Sequence, residues 1–329
     1  MIQNEWYAVL SAKEVPHDAP VTFKRLGVKF VAFRNGQGKI CIIEDRCCHR
    51  GASLGMGKVH GGHLECPFHG FVYDENGCVV KIPANGSRAK VTEIYKVKKY
   101  ITREIGGMVY LWWGSDHFSP DYEPAVFEDL QSPDFSYSEF IDYWPVHYTR
   151  AIENQLDVIH LPFVHKTTIG RGGRTIISGP VVKASKNHMK FYVKADVDDG
   201  NNQPLKPSEI KSYENLNALE FQFPNIWHNI ISDKLRVFAA FAPVDEENTV
   251  IYIRYYQSFM KLPLLKQVVN RLGIWFSIII LRQDKRVVIT QEPKYSEYRM
   301  NEKLIQGDLP IVEFRKMRAR KIEEDDNVL

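Results

Sequence analysis

The first third of the chain is a series of short apolar segments separated by turn-forming residues. Asn35-Gly36 and Asn76-Gly77 are typical turn pairs within this region. The segments are rich in β-branched and aromatic residues, which favour strands. Together they predict a small antiparallel β domain whose strands include Val21–Leu26, Val28–Phe33, Ile40–Glu44 and Met108–Trp113.

The rest of the chain mixes helical and strand patterns. Tyr148–Val158 has helical character, and apolar residues alternate with polar ones through much of residues 216–259, as in strands. Pro263 is expected to open a long helix, because proline is favoured at the first helical position. The proline-rich, acidic segment Ser115–Pro133 is interpreted as a linker, and the charged tail Glu323–Asn327 as frayed. The predicted domains are residues 1–118 and 119–329.

Composition and charge narrow the class of protein. Hydrophobic residues make up 44% and charged residues 25% of the chain, as in soluble globular proteins. A net charge of +3 gives no reason to expect a nucleic-acid partner. The most apolar run, Gly273–Leu281, is shorter than the ~20 residues of a membrane span, and the N-terminus lacks a signal-peptide pattern. We therefore expect a cytoplasmic protein without a membrane span.

Five cysteines and no export signal argue against a disulfide framework and favour metal binding. Cys47-x-His49 and Cys66-x-x-His69 each pair one thiolate with one imidazole, within glycine-rich segments. This alternation suits a two-iron cluster held by two cysteines and two histidines, whereas structural zinc sites commonly pair like ligands. A structural zinc site is the alternative. The segment Ile82–Gly86 is a candidate third loop that shields the cluster.

A second group of candidate ligands lies near residue 160. Asn154, Asp157 and His160 have the spacing i, i+3, i+6, which predicts one helical face. Pro162 is expected to end or bend this helix. Such a break would let His160 and His165 converge on one ion, as a site with two histidines and one carboxylate requires.

The carboxylate of this second site is predicted to be Asp284. It falls on the core-facing stripe that the long helix is expected to form, and a lone carboxylate there is costly unless it is paired or metal-bound. A salt bridge with a neighbouring basic residue is the alternative explanation for Asp284. Glu153 and Glu292 are weaker candidates, and Asp157 is better placed to orient His160. The expected stripe consists of Phe276, Ile280, Val287 and Val288.

These motifs, in this order, resemble the Rieske non-haem iron oxygenases, specifically their terminal (α-type) subunits. The resemblance covers nearly the whole chain and rests on CxHRG…CPxHG, NxxDxxHxxxxH and the aspartate before Gln291–Pro293. Chain length places it nearest the short monooxygenase and demethylase branch. Cys48 departs from the family pattern, which commonly has proline at this position.

The resemblance implies an α+β protein. Its N-terminal all-β Rieske domain would be followed by a helix-grip catalytic domain, an antiparallel sheet crossed by a long helix. Asp157 and Asn154 would take part in catalysis. The implied cofactor ligands are Cys47, His49, Cys66 and His69 for a [2Fe–2S] cluster, and His160, His165 and Asp284 for a mononuclear Fe(II) that uses O2.

Partners and activity also follow from the resemblance. It implies a homotrimer in which each cluster serves the neighbouring iron through a bridge such as His69–Asp157–His160. Because no flavin or nicotinamide motif occurs, a separate ferredoxin or flavin reductase using NAD(P)H is expected. The predicted reaction is hydroxylation or oxidative demethylation of a small organic substrate. Ring dihydroxylation, electron transfer alone and a zinc-stabilised binding module are the alternatives. Candidate pocket residues are Phe221, Phe223, Trp227 and Phe238.

Overall fold

The chain divides into two compact units at Pro124 and Ala125. The computed structural model describes residues 1–114, 123–213 and 216–326. The predicted domain boundary between residues 118 and 119 lies outside the described residues and stays a prediction. The segment Ser115–Pro133 was predicted to be a linker, but its described second half contains a 3-10 helix at Glu128–Gln131. Phe127 and Leu130 of this half are buried. This half therefore belongs to the core of the second unit.

The first unit is all-β, as predicted. Three antiparallel sheets have the strand orders β10–β11–β1, β2–β3–β4–β9 and β5–β6–β7–β8. Short 3-10 helices occur at Ala12–Glu14, Leu54–Met56 and Pro83–Asn85. The strands are β1 (Glu5–Ser11), β2 (Val21–Arg25), β3 (Val28–Arg34), β4 (Ile40–Glu44), β5 (Lys58–His60), β6 (His63–Glu65), β7 (Val72–Tyr73), β8 (Val79–Lys81), β9 (Lys99–Tyr100), β10 (Thr102–Ile105) and β11 (Met108–Trp113).

Strand β3 joins the two cores of this unit. Phe30 and Ala32 point into a core that includes Tyr7 and Leu111, whereas Val31 and Phe33 point to the opposite side. Successive side chains of a strand alternate between faces, so a continuous apolar run of this kind is buried on both sides. The second core also contains Cys47 and Cys66. The two loops that carry the candidate cluster ligands are therefore anchored in this core by the side chains of Cys47 and Cys66.

The second unit is built on one seven-stranded antiparallel sheet. Its strand order is β12–β18–β17–β16–β15–β14–β13. The strands are β12 (Ser136–Trp144), β13 (Ile176–Ala184), β14 (His188–Asp196), β15 (Asn217–Gln222), β16 (Ile226–Ser232), β17 (Leu235–Pro243) and β18 (Thr249–Gln257). The helices are α1 (Tyr148–Leu156), α2 (Leu161–Val164), α3 (Pro263–Val288) and α4 (Leu309–Asp326), with 3-10 turns at Glu128–Gln131, Pro207–Glu209 and Gln306–Asp308.

Helix α3 lies against β12 and β18, and helix α4 packs on the same face of the sheet. Gly273 sits directly over the Tyr255 ring, where any Cβ would overlap the ring. Phe221, which shares the Tyr255 face by strand register, contacts Phe314 of α4 edge-on. A long helix across an antiparallel sheet confirms the predicted α+β class and helix-grip arrangement. Helix α4 was not predicted; it extends to Asp326, so the described part of the segment Glu323–Asn327 is helical rather than frayed, and Asn327 lies outside the described residues.

The buried stripe of α3 differs from the predicted one. It consists of Asn270, Ile274, Ser277, Leu281, Asp284 and Val288. Phe276 and Val287 were expected to face the core but are each 42% exposed. Periodicity alone could not fix the orientation, because α3 is apolar on nearly all sides. Asp284 nevertheless lies on the buried stripe, with 3% of its surface exposed.

Helix α3 is also longer and more apolar than the nine-residue run considered from the sequence. Among the described residues it is the helix that is long and apolar enough, by composition, to cross a membrane, with a mean hydropathy of 1.5 over its most apolar stretch. Core helices of globular proteins meet the same criterion. Here the stripe from Asn270 to Val288 packs within the unit.

Candidate metal centres

Two loops of the first unit bring the Cys/His pairs together. The loop after β4 turns because the Gly51 N–H donates to the Cys47 carbonyl at 2.8 Å, and the loop after β6 turns because the Gly70 N–H donates to the Cys66 carbonyl at 3.1 Å. Both glycines have positive φ, +75° and +69°, which other residues rarely adopt. Each turn therefore presents one cysteine and one histidine from a tight backbone loop.

The cysteines and histidines of these loops occupy different environments. Cys47 and Cys66 are 3% and 1% exposed, and burial raises the pKa of the Cys66 thiol. His49 and His69 are exposed, and their ring centroids lie 4.7 Å apart. Two buried sulfurs beneath two exposed imidazoles fit a two-iron cluster whose histidine-held iron lies at the surface. The third loop packs beside them, since Pro83 contacts Gly70.

Two supporting residues of this site were not predicted. Asp45 accepts hydrogen bonds from the Ser53 hydroxyl, the Gly55 N–H and the Thr22 hydroxyl, at 2.7, 2.8 and 3.1 Å. The Tyr73 hydroxyl lies 3.1 Å from the Cys47 sulfur. An aspartate directly after a strand and before a Cys-x-His loop was the available signal for Asp45. Tyr73 meets Cys47 only through tertiary packing.

The surface beside the first loop is basic. A pocket next to Cys47 and His49 is lined by four exposed cationic side chains, Arg46, Arg50, Lys96 and Lys98. Cys48 also lines this pocket, and its sulfur lies 3.2 Å from the Tyr73 hydroxyl. Near the second loop, Phe68 is 58% exposed and stacks close to His69, with a ring separation of 3.9 Å.

The second site is formed where helix α1 ends. The sequence predicted one helical face through Asn154, Asp157 and His160, ending near Pro162, and this was wrong in detail. Helix α1 stops at Leu156, because the Asp157 carboxylate accepts hydrogen bonds from the N–H groups of Ile159 and His160, at 2.6 and 3.2 Å. Pro162 instead lies in the first turn of α2, where proline is tolerated.

Three candidate ligand atoms converge next to this turn. His160 Nε2 and His165 Nε2 are 3.2 Å apart, and Asp284 Oδ1 lies 3.4 Å from the first and 2.9 Å from the second. Ligand atoms about 2.1 Å from an ion at right angles are separated by about 3 Å. These three side chains form a group whose ligand atoms lie close enough together to hold one ion.

The hydrogen-bond partners of His165 show why a cation suits this arrangement. Its Nδ1 faces the Gln283 Oε1 at 2.8 Å, and the same oxygen accepts from the Thr168 hydroxyl at 2.9 Å. With Nδ1 donating to that oxygen, a neutral His165 ring has its lone pair on Nε2. Nε2 lies 2.9 Å from Asp284 Oδ1, which is buried and has no hydrogen-bond partner among the described residues. Two such acceptors in contact are unfavourable unless a proton or a metal ion lies between them.

The electrostatics of His160 agree with this picture. Burial lowers the pKa of His160, but the carboxylates of Asp157 and Asp284 outweigh burial and raise it to about 9. For the carboxyl groups of Asp157 and Asp284, burial raises the pKa, but the nearby histidines lower it by more. The pKa of each carboxyl group is therefore lowered overall. The site therefore favours positive charge at the point where the three ligand atoms meet.

The other carboxylates considered from the sequence have different partners. Glu153 is buried and ion-paired with Arg150 and Arg315. Glu292 is exposed and pairs with Lys294. Asn154 lies in the last turn of α1, and its buried amide nitrogen has no hydrogen-bond partner among the described residues.

The candidate pocket residues lie on both faces of the sheet. Phe221 and Trp227 are register partners and share the face covered by α3, and Phe223 contacts Phe221 edge-on. Phe238 pairs in register with Arg254, next to Tyr255 in the strand, so it points away from α3. The Trp227 indole N–H is buried without a partner among the described residues. The structure thus separates Phe238 from the other three.

Comparison with known proteins agrees with both centres. A model described as the Rieske [2Fe-2S] domain matches residues 5–100, and one described as the Vanillate O-demethylase oxygenase C-terminal domain matches residues 144–324, more than half of the chain. The chain therefore belongs to the Rieske oxygenases that carry this C-terminal domain. The family combines a [2Fe–2S] cluster with a mononuclear iron that reacts with O2, receives electrons from a separate reductase and binds a small substrate.

Individual relatives share parts of the chain. Protein TIC 55 of Pisum sativum is 34% identical over 165 residues, which are 50% of this chain and 30% of that protein. The vanillate O-demethylase oxygenase subunit of a Pseudomonas species is 30% identical over 172 residues, 51% of this chain and 46% of that protein. The matched stretches thus span about a third to a half of these relatives' own lengths. The solved structure of Pseudomonas putida CBB5 NdmA superposes with a TM-score of 0.79 and 21% identity over 98% of this chain and 92% of that one, which shows the fold.

Proposed function

We propose that this chain is the oxygenase component of a Rieske-type monooxygenase that hydroxylates or oxidatively demethylates a small organic substrate. In this proposal Cys47, His49, Cys66 and His69 hold the cluster. His160, His165 and Asp284 hold the mononuclear iron. Iron bound there would supply the redox and oxygen-binding chemistry.

The observation that carries the proposal is the meeting of three ligand atoms around a buried carboxylate oxygen without a hydrogen-bond partner. Two imidazoles and one carboxylate leave coordination positions open, as the non-haem iron oxygenases require. A structural zinc site would instead be closed by four protein ligands. The described residues near Asp284 provide three candidate ligands, which favours the catalytic interpretation.

The surrounding residues have distinct roles in this proposal. The Asp157 Oδ2 lies 3.6 Å from Nδ1 of His160, longer than a hydrogen bond, and that Nδ1 has no hydrogen-bond partner among the described residues, whereas Gln283 fixes the ring of His165. The burial of His165 and Asp284, at 1% and 3% exposure, excludes bulk water from their side of the centre. On the α3 face of the sheet, Trp227 offers a buried N–H donor to a substrate with an acceptor group.

The overall reaction places one atom of O2 in the substrate and releases the other as water, using two electrons and two protons. Hydroxylation of a methyl group on oxygen or nitrogen gives an unstable hydroxymethyl group, which leaves as formaldehyde. The names of relatives favour this branch, since one is a vanillate O-demethylase subunit and others are toluene-4-sulfonate monooxygenase subunits. Ring dihydroxylation would place both oxygen atoms in the product.

We further propose a separate ferredoxin or flavin reductase that takes electrons from NAD(P)H. The four cations beside the cluster loops, Arg46, Arg50, Lys96 and Lys98, suit an acidic electron donor. A homotrimer is proposed as well, in which His69 of one chain approaches Asp157 of the next. Both side chains are accessible enough for this, since His69 is exposed and the Asp157 side chain is 30% exposed.

Turnover with isotopically labelled oxygen tests the proposed activity. The iron-loaded protein is incubated with an NADH-dependent reductase, ¹⁸O2 and a panel of methoxylated and N-methylated aromatic compounds. We expect substrate-dependent oxygen uptake, one ¹⁸O atom per hydroxylated product, and formaldehyde from methylated substrates.

One control variant and two possible results separate the alternative functions. His165→Ala, with an intact cluster, should still accept electrons from the reductase but form no product. Two ¹⁸O atoms per product would replace monooxygenation with dihydroxylation. Cluster reduction without substrate-dependent oxygen uptake by the native protein, across the panel, would favour electron transfer alone.

A further inference from the structure

The solvent-facing side of helix α3 is more apolar than its buried side. The buried stripe contains the polar residues Asn270, Ser277 and Asp284. A surface helix of a globular protein normally shows the reverse pattern. The exposed apolar side chains of the first half of α3 and of the segment before it are 42–79% exposed; they are Phe259, Leu262, Leu264, Leu265, Val268, Leu272, Trp275 and Phe276. We call these residues the α3 apolar face.

The spacing of these residues makes the face continuous. Leu264, Val268, Leu272 and Trp275 follow each other at intervals of four, four and three residues, so they lie along one side of the helix. Contiguous apolar surface of this kind marks a contact site, whereas single exposed apolar residues do not. The α3 apolar face therefore needs an apolar partner.

The charge around the face identifies the kind of partner. Residues 258–283 contain no aspartate or glutamate but include four basic residues, Lys261, Lys266, Arg271 and Arg282. The next acid along the chain, Asp284, is buried against His160 and His165. An apolar helix face with tryptophan, on a segment whose charged residues are all cations up to Gln283, is typical of helices that lie in the interface of anionic membranes.

We propose that the α3 apolar face docks on the surface of an anionic lipid bilayer, with the helix lying in the plane of the interface. The geometry favours lying on the membrane rather than crossing it, because the opposite side of α3 packs on β12 and β18 and carries Asp284. A face-to-face contact between two copies fits less well, because it would bring the cations of one face against those of the other. In the proposed homotrimer the contacts join different surfaces of neighbouring chains, so coverage of the face by a neighbouring chain is the alternative outcome of the test.

Vesicle co-sedimentation of the full chain tests this proposal. The vesicles contain phosphatidylcholine alone or phosphatidylcholine with phosphatidylglycerol. We expect binding to the anionic vesicles, reduced at least tenfold by Leu272→Gln with Trp275→Gln. Lys266→Gln with Arg271→Gln should reduce it by about fivefold per charge removed. Matched controls are Val197→Gln with Ile231→Gln, which are 50% and 51% exposed elsewhere, and the exposed pair Lys211→Gln with Lys303→Gln.

Tryptophan fluorescence locates the contact. Trp275→Phe should keep vesicle binding but lose the blue shift that the native protein shows on anionic vesicles. The proposal is overturned by a native protein that does not bind anionic vesicles, or by equal losses in the α3 and control pairs. It is also overturned when Leu272→Gln with Trp275→Gln leaves vesicle binding intact and light scattering shows a smaller assembly, since a second copy then covers the face.

Discussion

The two candidate metal centres are built in different ways. In the first unit, the proposed cluster ligands come from two short turns next to strand ends, and the histidines are exposed. In the second unit, the proposed iron ligands come from the two ends of α2 and from α3, far apart in sequence, and Asp284 and His165 are buried. Exposed histidines suit a centre that exchanges electrons with partners. A buried centre suits chemistry that must exclude water.

The two centres are also held in place by different interactions. The cluster loops are held by backbone hydrogen bonds and by the Asp45 carboxylate. The candidate iron site depends on Asp157, which fixes the backbone turn before His160, and on Gln283, which holds the ring of His165. Each centre should therefore be removable without loss of the other, and the following predictions are arranged from the largest expected effect to the smallest.

Removal of a cluster cysteine is expected to have the largest effect. Cys66→Ser should abolish the cluster and reductase-driven turnover, because a buried serine is a poor substitute for a thiolate. The mononuclear site should still bind iron, giving about one iron per chain instead of about three by the ligand count. Iron analysis with visible absorption measures both, and Cys78→Ser serves as the control. Loss of mononuclear iron in the same variant would show that the centres are not independent.

Removal of the iron carboxylate gives the converse result. Asp284→Asn keeps the side-chain volume but removes the charge that a metal ion requires at this position. We expect the cluster to remain, mononuclear iron to be lost and product formation to fall by more than about 100-fold. Asp142→Asn, at a carboxylate paired with Lys285, is the control. Full iron content in Asp284→Asn would contradict the assigned role.

The role of Gln283 can be tested by iron affinity. Gln283→Leu removes the acceptor that holds His165, so the affinity for mononuclear iron should fall by about 10- to 100-fold. Gln283→Glu should retain most of the affinity, because it keeps an acceptor next to Nδ1. Competition with a chelator measures these values, and Gln267→Leu on the same helix is the matched control. Equal affinities for Gln283→Leu and the native chain would exclude a positioning role.

The smallest expected effect is on the cluster potential. A hydrogen bond from Tyr73 to the Cys47 sulfur stabilises the more negative, reduced cluster. Tyr73→Phe should therefore lower the reduction potential by roughly 40 mV, since one such bond is worth ~1 kcal/mol. Protein-film voltammetry gives the potential, and Tyr95→Phe in the same unit is the control. A potential that stays unchanged or rises would contradict the assignment.

Local motifs explain why so much of the first unit could be predicted from sequence. The Cys/His pairs and their turn glycines lie within a few residues of each other, and the four predicted strands are present. The iron site was harder to predict. His160, His165 and Asp284 were predicted to converge and they do, while their role as iron ligands stays a prediction. The predicted helix was wrong in detail, because it ends not near Pro162 but at Leu156, where the Asp157 side chain accepts hydrogen bonds from backbone N–H groups.

Other features depend on contacts between residues that are distant in sequence. Asp284 was assigned to a core stripe of which Val288 is buried but Phe276 and Val287 are exposed, because the hydrophobic pattern of a largely apolar helix does not define which side faces the core. Gln283 and Tyr73 meet their partners only after folding, and the register that turns Phe238 away from α3 is a property of the whole sheet. Local sequence patterns therefore could not predict these contacts.

The central claim is that one chain holds both a cluster and an open mononuclear iron site. Electron paramagnetic resonance tests it most directly, using protein purified without oxygen, reduced with dithionite and then exposed to nitric oxide. We expect a rhombic signal from the reduced cluster, a high-spin iron–nitrosyl signal, and about three irons per chain by the ligand count. A cluster signal without the nitrosyl signal, or bound zinc without a cluster signal, would contradict the account.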